Sequence, residues 1–324
     1  MGPTTPAWNI NNTVVNGSYD PENVFCIIKF NTLSVLTVIV AMVGLAGNAI
    51  VLWILGFNMH RNAFSVYVLN LAGADFLYLC AQIVWSLKCV LQLDSSYYPF
   101  VIIVLMFAYL AGLCMIAAIN VERSLSVLWP IWYHCQRPRH TSAIMCALLW
   151  AFCIMLSLLY GEGCGFLLSQ YEHSFCITCE LIITALIIVL SVVPSVFSLA
   201  LLVKIICGSH RIHVTRFYVT ITLTVVVFLF FGLPFGIYWF LLPWITLNGI
   251  IFSDNVNKVI TCLSCVNSCA NPIIYFLVGS IRHCRFQRQT LKLLLQRAMQ
   301  DIPEEESGEK GPSQVWETGN SLVQ

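Results

Sequence analysis

Polar residues inside apolar stretches are the first candidates for chemistry in this chain. Asp75 is the one acidic residue of the apolar stretch 64–91. A carboxylate in the middle of a bilayer costs about 2.5 to 3.5 kcal/mol, so Asp75 is expected to face other helices and a polar partner. Asn48 and Asn267 lie in two further apolar stretches. We predict a polar cluster that could bind Na⁺; the alternative is hydrogen bonding between helices without a ligand.

Prolines give two of the apolar stretches a weak point. Asn271 and Pro272 precede Tyr275 in the stretch 254–278. Proline lacks the N–H that a helix would use, so it leaves a carbonyl unpaired and kinks the helix. Pro234 follows Gly232 in the stretch 216–242. Each kink is either a moving hinge or a static bend, and the sequence leaves both interpretations open.

An acid and a base, Glu122 and Arg123, are adjacent where the third apolar stretch ends. One interpretation is an ionic contact that holds the ends of the helices together until a signal releases it. The other is a pair of long side chains that reach the polar headgroups from the membrane edge.

The sequence lacks the patterns of membrane enzymes and of retinal-binding proteins. An intramembrane aspartyl protease requires a second aspartate in the membrane core besides Asp75, and no His-Glu-x-x-His zinc motif occurs. A retinal-binding lysine is expected seven residues before Pro272, where the chain has Cys265. We therefore predict that the chain is not an enzyme.

Seven apolar stretches position these residues, and each is about long enough to cross a bilayer. They cover 31–57, 64–91, 98–128, 142–162, 178–206, 216–242 and 254–278. The 324 residues are 59% hydrophobic and 10% charged, whereas about a quarter of the residues in a soluble domain are charged. Because lipid offers no hydrogen bonds to the backbone, each stretch is expected to be a helix. The predicted fold is an all-α membrane protein, a seven-transmembrane helix bundle with a short amphipathic eighth helix.

The flanking segments complete the predicted domain organisation. Residues 1–30 are an extracellular tail with N-glycosylation sequons at Asn11 and Asn16. Residues 31–278 are the membrane domain, 279–300 an amphipathic helix that contacts membrane lipids, and 301–324 a disordered cytoplasmic tail. Only Lys29, Lys88 and Lys258 fall on one side of the spans, and all other Lys and Arg residues fall on the opposite side. The N-terminus is therefore predicted outside and the C-terminus inside.

The order of these features on seven spans resembles the rhodopsin-like G-protein-coupled receptors. The matching positions are Gly47-Asn48, Asp75, Glu122-Arg123, Trp150, Pro234 and Asn271-Pro272-Ile273-Ile274-Tyr275. Longer segments, 61–67, 127–133, 228–236 and 291–301, are similar to the Mas-related receptors, and the N-terminus is similar to their B subfamily.

This resemblance implies a plasma-membrane receptor of sensory neurons or mast cells that detects peptides or small amphipathic, mostly cationic ligands. It implies activation of a heterotrimeric G protein, Gq or Gi, with arrestin as a further partner and no role for nucleic acid. The implied activation residues are Glu122, Arg123, Gly232, Pro234, Asn271, Pro272 and Tyr275. The alternative function is a transporter or channel, which the polar core favours and the lack of inverted repeats opposes.

The resemblance also implies a disulfide between Cys164 and Cys176, because Mas-related receptors join the outer ends of the fourth and fifth spans. The third-span cysteine of the wider superfamily, expected near Tyr98, is absent. Cys179 competes with Cys176, since spacing alone does not distinguish the two pairings.

The implied ligand site lies near this disulfide. Glu180 stands where related receptors carry an acid that pairs with cationic agonists, and Tyr160 stands where some relatives carry a second acid. Glu162 lies about 200° further around a helix, so it substitutes for that acid only if the helix unwinds at Gly161 and Gly163. A dicationic, a monocationic and a mainly apolar ligand are all left open.

Aromatic residues at a similar depth are predicted to line a shallow ligand pocket. They are Trp85, Tyr97, Tyr109, Trp239, Phe240 and Trp244. The alternative is the belt of aromatic residues that lies at the interface of any membrane protein.

Overall fold

The computed structural model describes most of the predicted membrane domain. The described residues are 32–58, 63–88, 94–128, 130–135, 137–138, 140–167, 173–207, 216–241 and 254–280. The predicted extracellular tail with Asn11 and Asn16, nearly all of the predicted amphipathic helix 279–300 and the tail 301–324 lie outside these described residues.

Seven long helices, labelled α1 to α7 in chain order, make up the part of the chain that the structure describes. They are α1 Thr32–Trp53, which continues as a wide turn Ile54–Asn58; α2 Ala63–Leu87; α3 Tyr98–Leu128; α4 Thr141–Gly163; α5 His173–Cys207; α6, which runs through Arg216–Val227, Phe228–Gly232, Leu233–Gly236 and Ile237–Leu241; and α7 Asp254–Ser280. A short helix after α3, Pro130–Cys135, is called the loop helix. Within the described ranges no residue is in a strand, and the predicted all-α class is confirmed.

Helices α1 to α6 are each long and apolar enough, by length and composition, to cross a membrane. Helix α7 has the same length class, with 27 residues, but it carries more polar side chains, among them Asn257, Lys258 and Asn267. Because α7 packs against α1, α2 and α6, these polar groups are placed where other helices can cover them.

Helix α3 is the centre of the bundle. In the most apolar 18-residue stretch of α3, 72% of the residues are buried, whereas only 28% are buried in the corresponding stretches of α4 and α5. It packs against α2, α4, α5 and α6, while α7 closes the ring against α1. A site on α3 can therefore contact most of the other helices.

Two helix boundaries differ from the sequence prediction. Helix α5 begins at His173 rather than at 178, because hydropathy does not detect its polar first turn. In that turn the Thr178 hydroxyl donates to the carbonyl of Ser174 at 2.8 Å. Helix α2 ends at Leu87, and residues 89–91 of the predicted span lie outside the described part.

Helix α6 changes its winding on both sides of Pro234. The segments Phe228–Gly232 and Ile237–Leu241 are wide π turns, which often occur at functional sites. Carbonyls in these turns accept hydrogen bonds from other helices: Gly232 from Tyr109 at 3.2 Å, and Phe240 from Thr184 at 3.0 Å. Helix α7, in contrast, stays α-helical through Pro272.

Candidate functional site

A polar cluster links α1, α2 and α7 in the middle of the bundle. Asp75 is 4% exposed, and its Oδ2 accepts a hydrogen bond from Asn271 Nδ2 at 2.7 Å. Asn48 Nδ2 donates to the carbonyl of Ser268 at 3.0 Å. The structure thus brings three of the predicted polar residues, from three different helices, into one network.

A cavity of about 20 Å³ lies beside Asp75. Asn267 and Ser268 are also in its lining, so a carboxylate and neutral side-chain oxygens face the same space. Hard cations prefer such oxygen ligands, and one water-sized group needs about 10 to 15 Å³. The residues therefore fit a single small cation, and Na⁺ at Asp75 stays a prediction.

Glu122, near the end of α3, is held by the segment that follows this helix. Arg137 Nη2 lies 2.5 Å from Glu122 Oε1, and the Tyr133 hydroxyl donates to the same oxygen at 2.8 Å. Arg137 also donates to Ser142 Oγ at the start of α4. The two charged side chains are only 9% and 8% exposed, so little water screens their attraction.

The sequence predicted that Glu122 and Arg123 hold the ends of the helices together, and this role of the pair stays a prediction. The described partner of Glu122 is Arg137, and the side chain of Arg123 lies outside what the structure describes. Sequence reasoning missed Arg137 because it is one of several basic residues in a loop, and no spacing pattern sets it apart.

A disulfide joins the end of α4 to the first part of α5. Cys164 and Cys176 are bonded, with Cα atoms 4.7 Å apart, and Cys179 is a buried free thiol. This is the pairing that the family resemblance implied. A carboxylate oxygen of Glu180 lies within 4.8 Å of both bonded sulfur atoms. Because a disulfide offers no thiolate, this group is not a metal site.

An aromatic cavity of about 110 Å³ lies between α2, α3, α4, α6 and α7, where Thr261 of α7 is part of its lining. Its aromatic walls are Trp85, Tyr160, Phe166, Phe235, Trp239 and Phe240. The sequence predicted Trp85, Tyr160, Trp239 and Phe240 as ligand residues. It missed Phe166 and Phe235, whose types give no signal in so apolar a chain, and the polar wall residue Gln82.

Tyr109 lies between the two cavities. It lines the small cavity beside Asp75, and its ring centroid is 5.1 Å from that of Phe235, which lines the aromatic cavity. Tyr109 is not among the residues that line the aromatic cavity, but its ring packs against the wall residue Phe235, and its role as a ligand residue stays a prediction. Of the other aromatic candidates, Tyr97 is 59% exposed and Trp244 lies outside the described residues.

Glu162 does not meet the condition that the sequence set for a ligand contact. Helix α4 continues through Gly163, so it does not unwind at Gly161. The Glu162 side chain is exposed, whereas that of Tyr160 lines the aromatic cavity. The unwinding fails because both glycines pack closely: a Cβ at Gly161 would lie 2.7 Å from Ile103 Cδ1.

Comparisons with known proteins agree with this architecture. The family described as 7 transmembrane receptor (rhodopsin family) matches residues 47–275. Mas-related G-protein coupled receptor member B4 of Rattus norvegicus is 70% identical over 317 residues, covering 98% of this chain and 97% of the relative. Member B5 of Mus musculus is 72% identical over 314 residues, covering 97% and 98%. Member B2 of Mus musculus is 54% identical over 316 residues, covering 96% and 94%.

The helix bundle, its polar cluster and the family match define a seven-transmembrane receptor of the rhodopsin family, a multi-pass protein of the plasma membrane. Within that class the chain belongs to the Mas-related G-protein-coupled receptors, with members B4 and B5 among its relatives. Proteins of this family are receptors that couple ligand binding to G proteins, which is a non-enzyme class.

Proposed function

We propose that the chain binds peptides or small amphipathic ligands in the aromatic cavity and activates a heterotrimeric G protein from the opposite end of the bundle. One observation carries this proposal: the central helix α3 bears both sites. Met106 lines the aromatic cavity, and Glu122 lies about 24 Å further along the helix at 1.5 Å per residue. A ligand-sized cavity and a buried ionic network thus share one rigid element.

The proposed signal passes through α6. Phe235, Trp239 and Phe240 belong to the cavity wall, and Phe240 and Trp239 lie in a wide turn. A ligand that binds better after α6 has moved shifts the population toward that arrangement. The moved helix then exposes Arg123 and the loop helix to the G protein, either Gq or Gi.

The proposed topology places the N-terminus outside the cell and the C-terminus in the cytoplasm. The aromatic cavity then faces outward, and the inner face binds the G protein or arrestin. Lipids contact the exposed apolar side chains of the outer helices, such as Val43, Val192 and Phe230. Expression in sensory neurons or mast cells is part of the proposal and rests on the family resemblance.

Calcium and cyclic-nucleotide responses of cells that express the chain test this function. The cells carry an N-terminal epitope tag, and labelling of intact cells reports both surface level and orientation. They are challenged with cationic peptides, amphipathic amines and neutral amphiphiles. A response that disappears when the G protein is blocked supports the receptor. Ligand-evoked current or flux that persists under the block supports a transporter or channel, which family membership does not favour.

A cationic ligand is expected to depend on Glu180. This side chain is partly exposed and lies beside the Cys164–Cys176 disulfide, which joins it to the end of α4 that carries Tyr160. A partly exposed ion pair contributes up to about 1 kcal/mol, so Glu180→Gln should raise the EC50 of amphipathic amines up to roughly fivefold. Neutral amphiphiles should keep their potency. The measurement is a pair of calcium dose–response curves for each class of compound.

Glu162→Gln is the matched control for this experiment. It removes the same charge near the same end of α4 and α5, from an exposed side chain on the continuous helix. It should therefore leave the potency of the amines unchanged. An equal loss in both variants would assign the effect to the general surface charge and remove Glu180 from the ligand site.

A further inference from the structure

Gln82, a residue in the lining of the aromatic cavity, carries a buried and unpaired acceptor. This residue of α2 is 1% exposed and belongs to the cavity lining. Its Oε1 has no hydrogen-bond partner among the residues that the structure describes. A buried carbonyl oxygen without a donor is costly, and such groups often have a functional reason.

The neighbouring hydrogen bonds fix the orientation of the Gln82 amide. The Ser264 hydroxyl donates to the backbone carbonyl of Thr261 at 2.8 Å, and a carbonyl can only accept. Ser264 Oγ must then accept from the Tyr78 hydroxyl, which lies 2.5 Å away. Because the single hydroxyl proton of Tyr78 is used in this bond, the Tyr78 oxygen accepts a hydrogen bond from Gln82 Nε2 at 2.9 Å.

The hydrogen bonds therefore run in one direction, from Gln82 Nε2 through Tyr78 and Ser264 to the carbonyl of Thr261. The Gln82 oxygen is the group left without a partner among the described residues. Flipping the amide would bring Oε1 against the Tyr78 oxygen with no proton between them. The unpaired group at the cavity is therefore an acceptor and not a donor. It recognises an N–H or an O–H.

The other residues that line the cavity determine the size and the polarity of the ligand group that carries this donor. They are mostly aromatic, and a volume of about 110 Å³ approaches the 150 Å³ cavity that binds a benzene molecule in an engineered protein core. A ring-sized apolar group fills this space.

We propose that Gln82 Oε1 is a specificity-determining acceptor, which binds the N–H or O–H of a ring-sized apolar group of the ligand. This inference rests on the proposed function, because it assigns ligand chemistry to the same cavity. A site whose buried polar group stays unpaired discriminates against an analogue without the matching donor. The ligand class is thus an aromatic or cyclic group with one donor.

Indole and benzofuran are the probes, because they have nearly the same shape and only indole carries an N–H. Binding is measured on the purified full-length chain in lipid nanodiscs, from the concentration dependence of the thermal unfolding temperature. Wild type should bind indole about five- to tenfold more tightly than benzofuran, as expected for one hydrogen bond. In Gln82→Met the ratio should fall close to one.

Gln82→Met suits this test because it keeps the side-chain length and removes the donor and the unpaired acceptor together, which is close to neutral for stability. Ser264→Ala is the second variant. Without Ser264, the Tyr78 hydroxyl can donate to Gln82 Oε1, so the amide turns and the acceptor is satisfied. The indole preference should therefore fall in Ser264→Ala although Gln82 is intact.

Three results would overturn the inference: no stabilisation by either probe, equal binding of both probes to wild type, or an indole preference that survives Gln82→Met. Partition into the lipid differs between the two probes but is the same for all variants, so it cancels when the probe ratio of a variant is divided by that of wild type. The assay contains no G protein, so it is independent of the cell-based test. Signalling that proves independent of G proteins would contradict the proposed function and leave the probe ratio unchanged.

Discussion

Replacing Arg137 by Gln should raise ligand-independent signalling and lower the thermal stability of the receptor. The substitution leaves the Glu122 carboxylate, 8% exposed, with only the Tyr133 hydroxyl among its described partners. Removing one member of a buried ion pair costs about 3 to 5 kcal/mol, because the other charge stays buried and uncompensated. The conformation in which the loop helix packs against α3 is destabilised by this amount of free energy. Arrangements in which Glu122 reaches water gain population accordingly.

A population shift of this size is measurable as basal inositol phosphate or cyclic-nucleotide signalling at matched surface expression. Each 1.4 kcal/mol changes the ratio of the two arrangements about tenfold. Ser142→Ala is the control, since it removes one hydrogen bond of Arg137 and keeps the ion pair. It should change basal signalling far less. If basal signalling in Arg137→Gln equals that of wild type, the hydrogen-bond network around Glu122 does not control activation.

A double-mutant cycle separates this effect from simple misfolding. Glu122→Gln removes the charge that Arg137→Gln leaves unpaired, so the double variant should unfold at a higher temperature than Arg137→Gln alone. If the two losses of stability instead add, the two side chains do not interact and the contact at 2.5 Å carries no coupling energy.

The helices could be predicted from sequence because lipid imposes a simple rule on the backbone. Every apolar stretch long enough to cross the bilayer became a helix, and most boundaries agreed within a few residues. The larger of the two differences, the start of α5 at His173, is a polar turn next to the disulfide at Cys176. Hydropathy measures the match to lipid, so it does not detect a turn that a covalent bond holds in place.

The polar cluster was predictable for the same reason, whereas the aromatic cavity was predictable only in part. An acidic residue such as Asp75 in an apolar helix requires a polar partner, so its residue type alone indicates a polar site. Gln82 and Phe235 carry no such signal: an amide or an aromatic ring in a helix fits many environments. Their roles arise from how α2, α3, α4, α6 and α7 pack, which is a property of the whole bundle. The role of Arg137 was not predictable for the same reason, because its partner Glu122 lies on another structural element, helix α3.

The packing of α1 against α7 makes Gly44 the most demanding glycine near the polar cluster. A Cβ at this position would lie 3.0 Å from Cys269 Cβ and 3.1 Å from Cys269 Cα. Leu79 Cδ1, at 2.8 Å, can turn away, but the backbone of α7 can move only as a unit. Asn48, one turn further along α1, donates to the carbonyl of Ser268 beside Cys269. Small residues thus let the two helices approach closely enough for this hydrogen bond.

Gly44→Ala should therefore destabilise the receptor by about 1 to 3 kcal/mol, the usual cost of overpacking a tight interior. Gly56→Ala is the matched control in the turn that ends α1, where a Cβ would meet no atom within 4 Å. Alanine favours a helix by up to about 1 kcal/mol over glycine, so Gly56→Ala should be neutral or stabilising. The two substitutions add the same methyl group, but the unfolding temperature should fall in Gly44→Ala and stay the same or rise in Gly56→Ala. A fall in both would show that α1 tolerates no methyl at any glycine, and a fall in neither would show that α1 and α7 are not in close contact in the folded receptor.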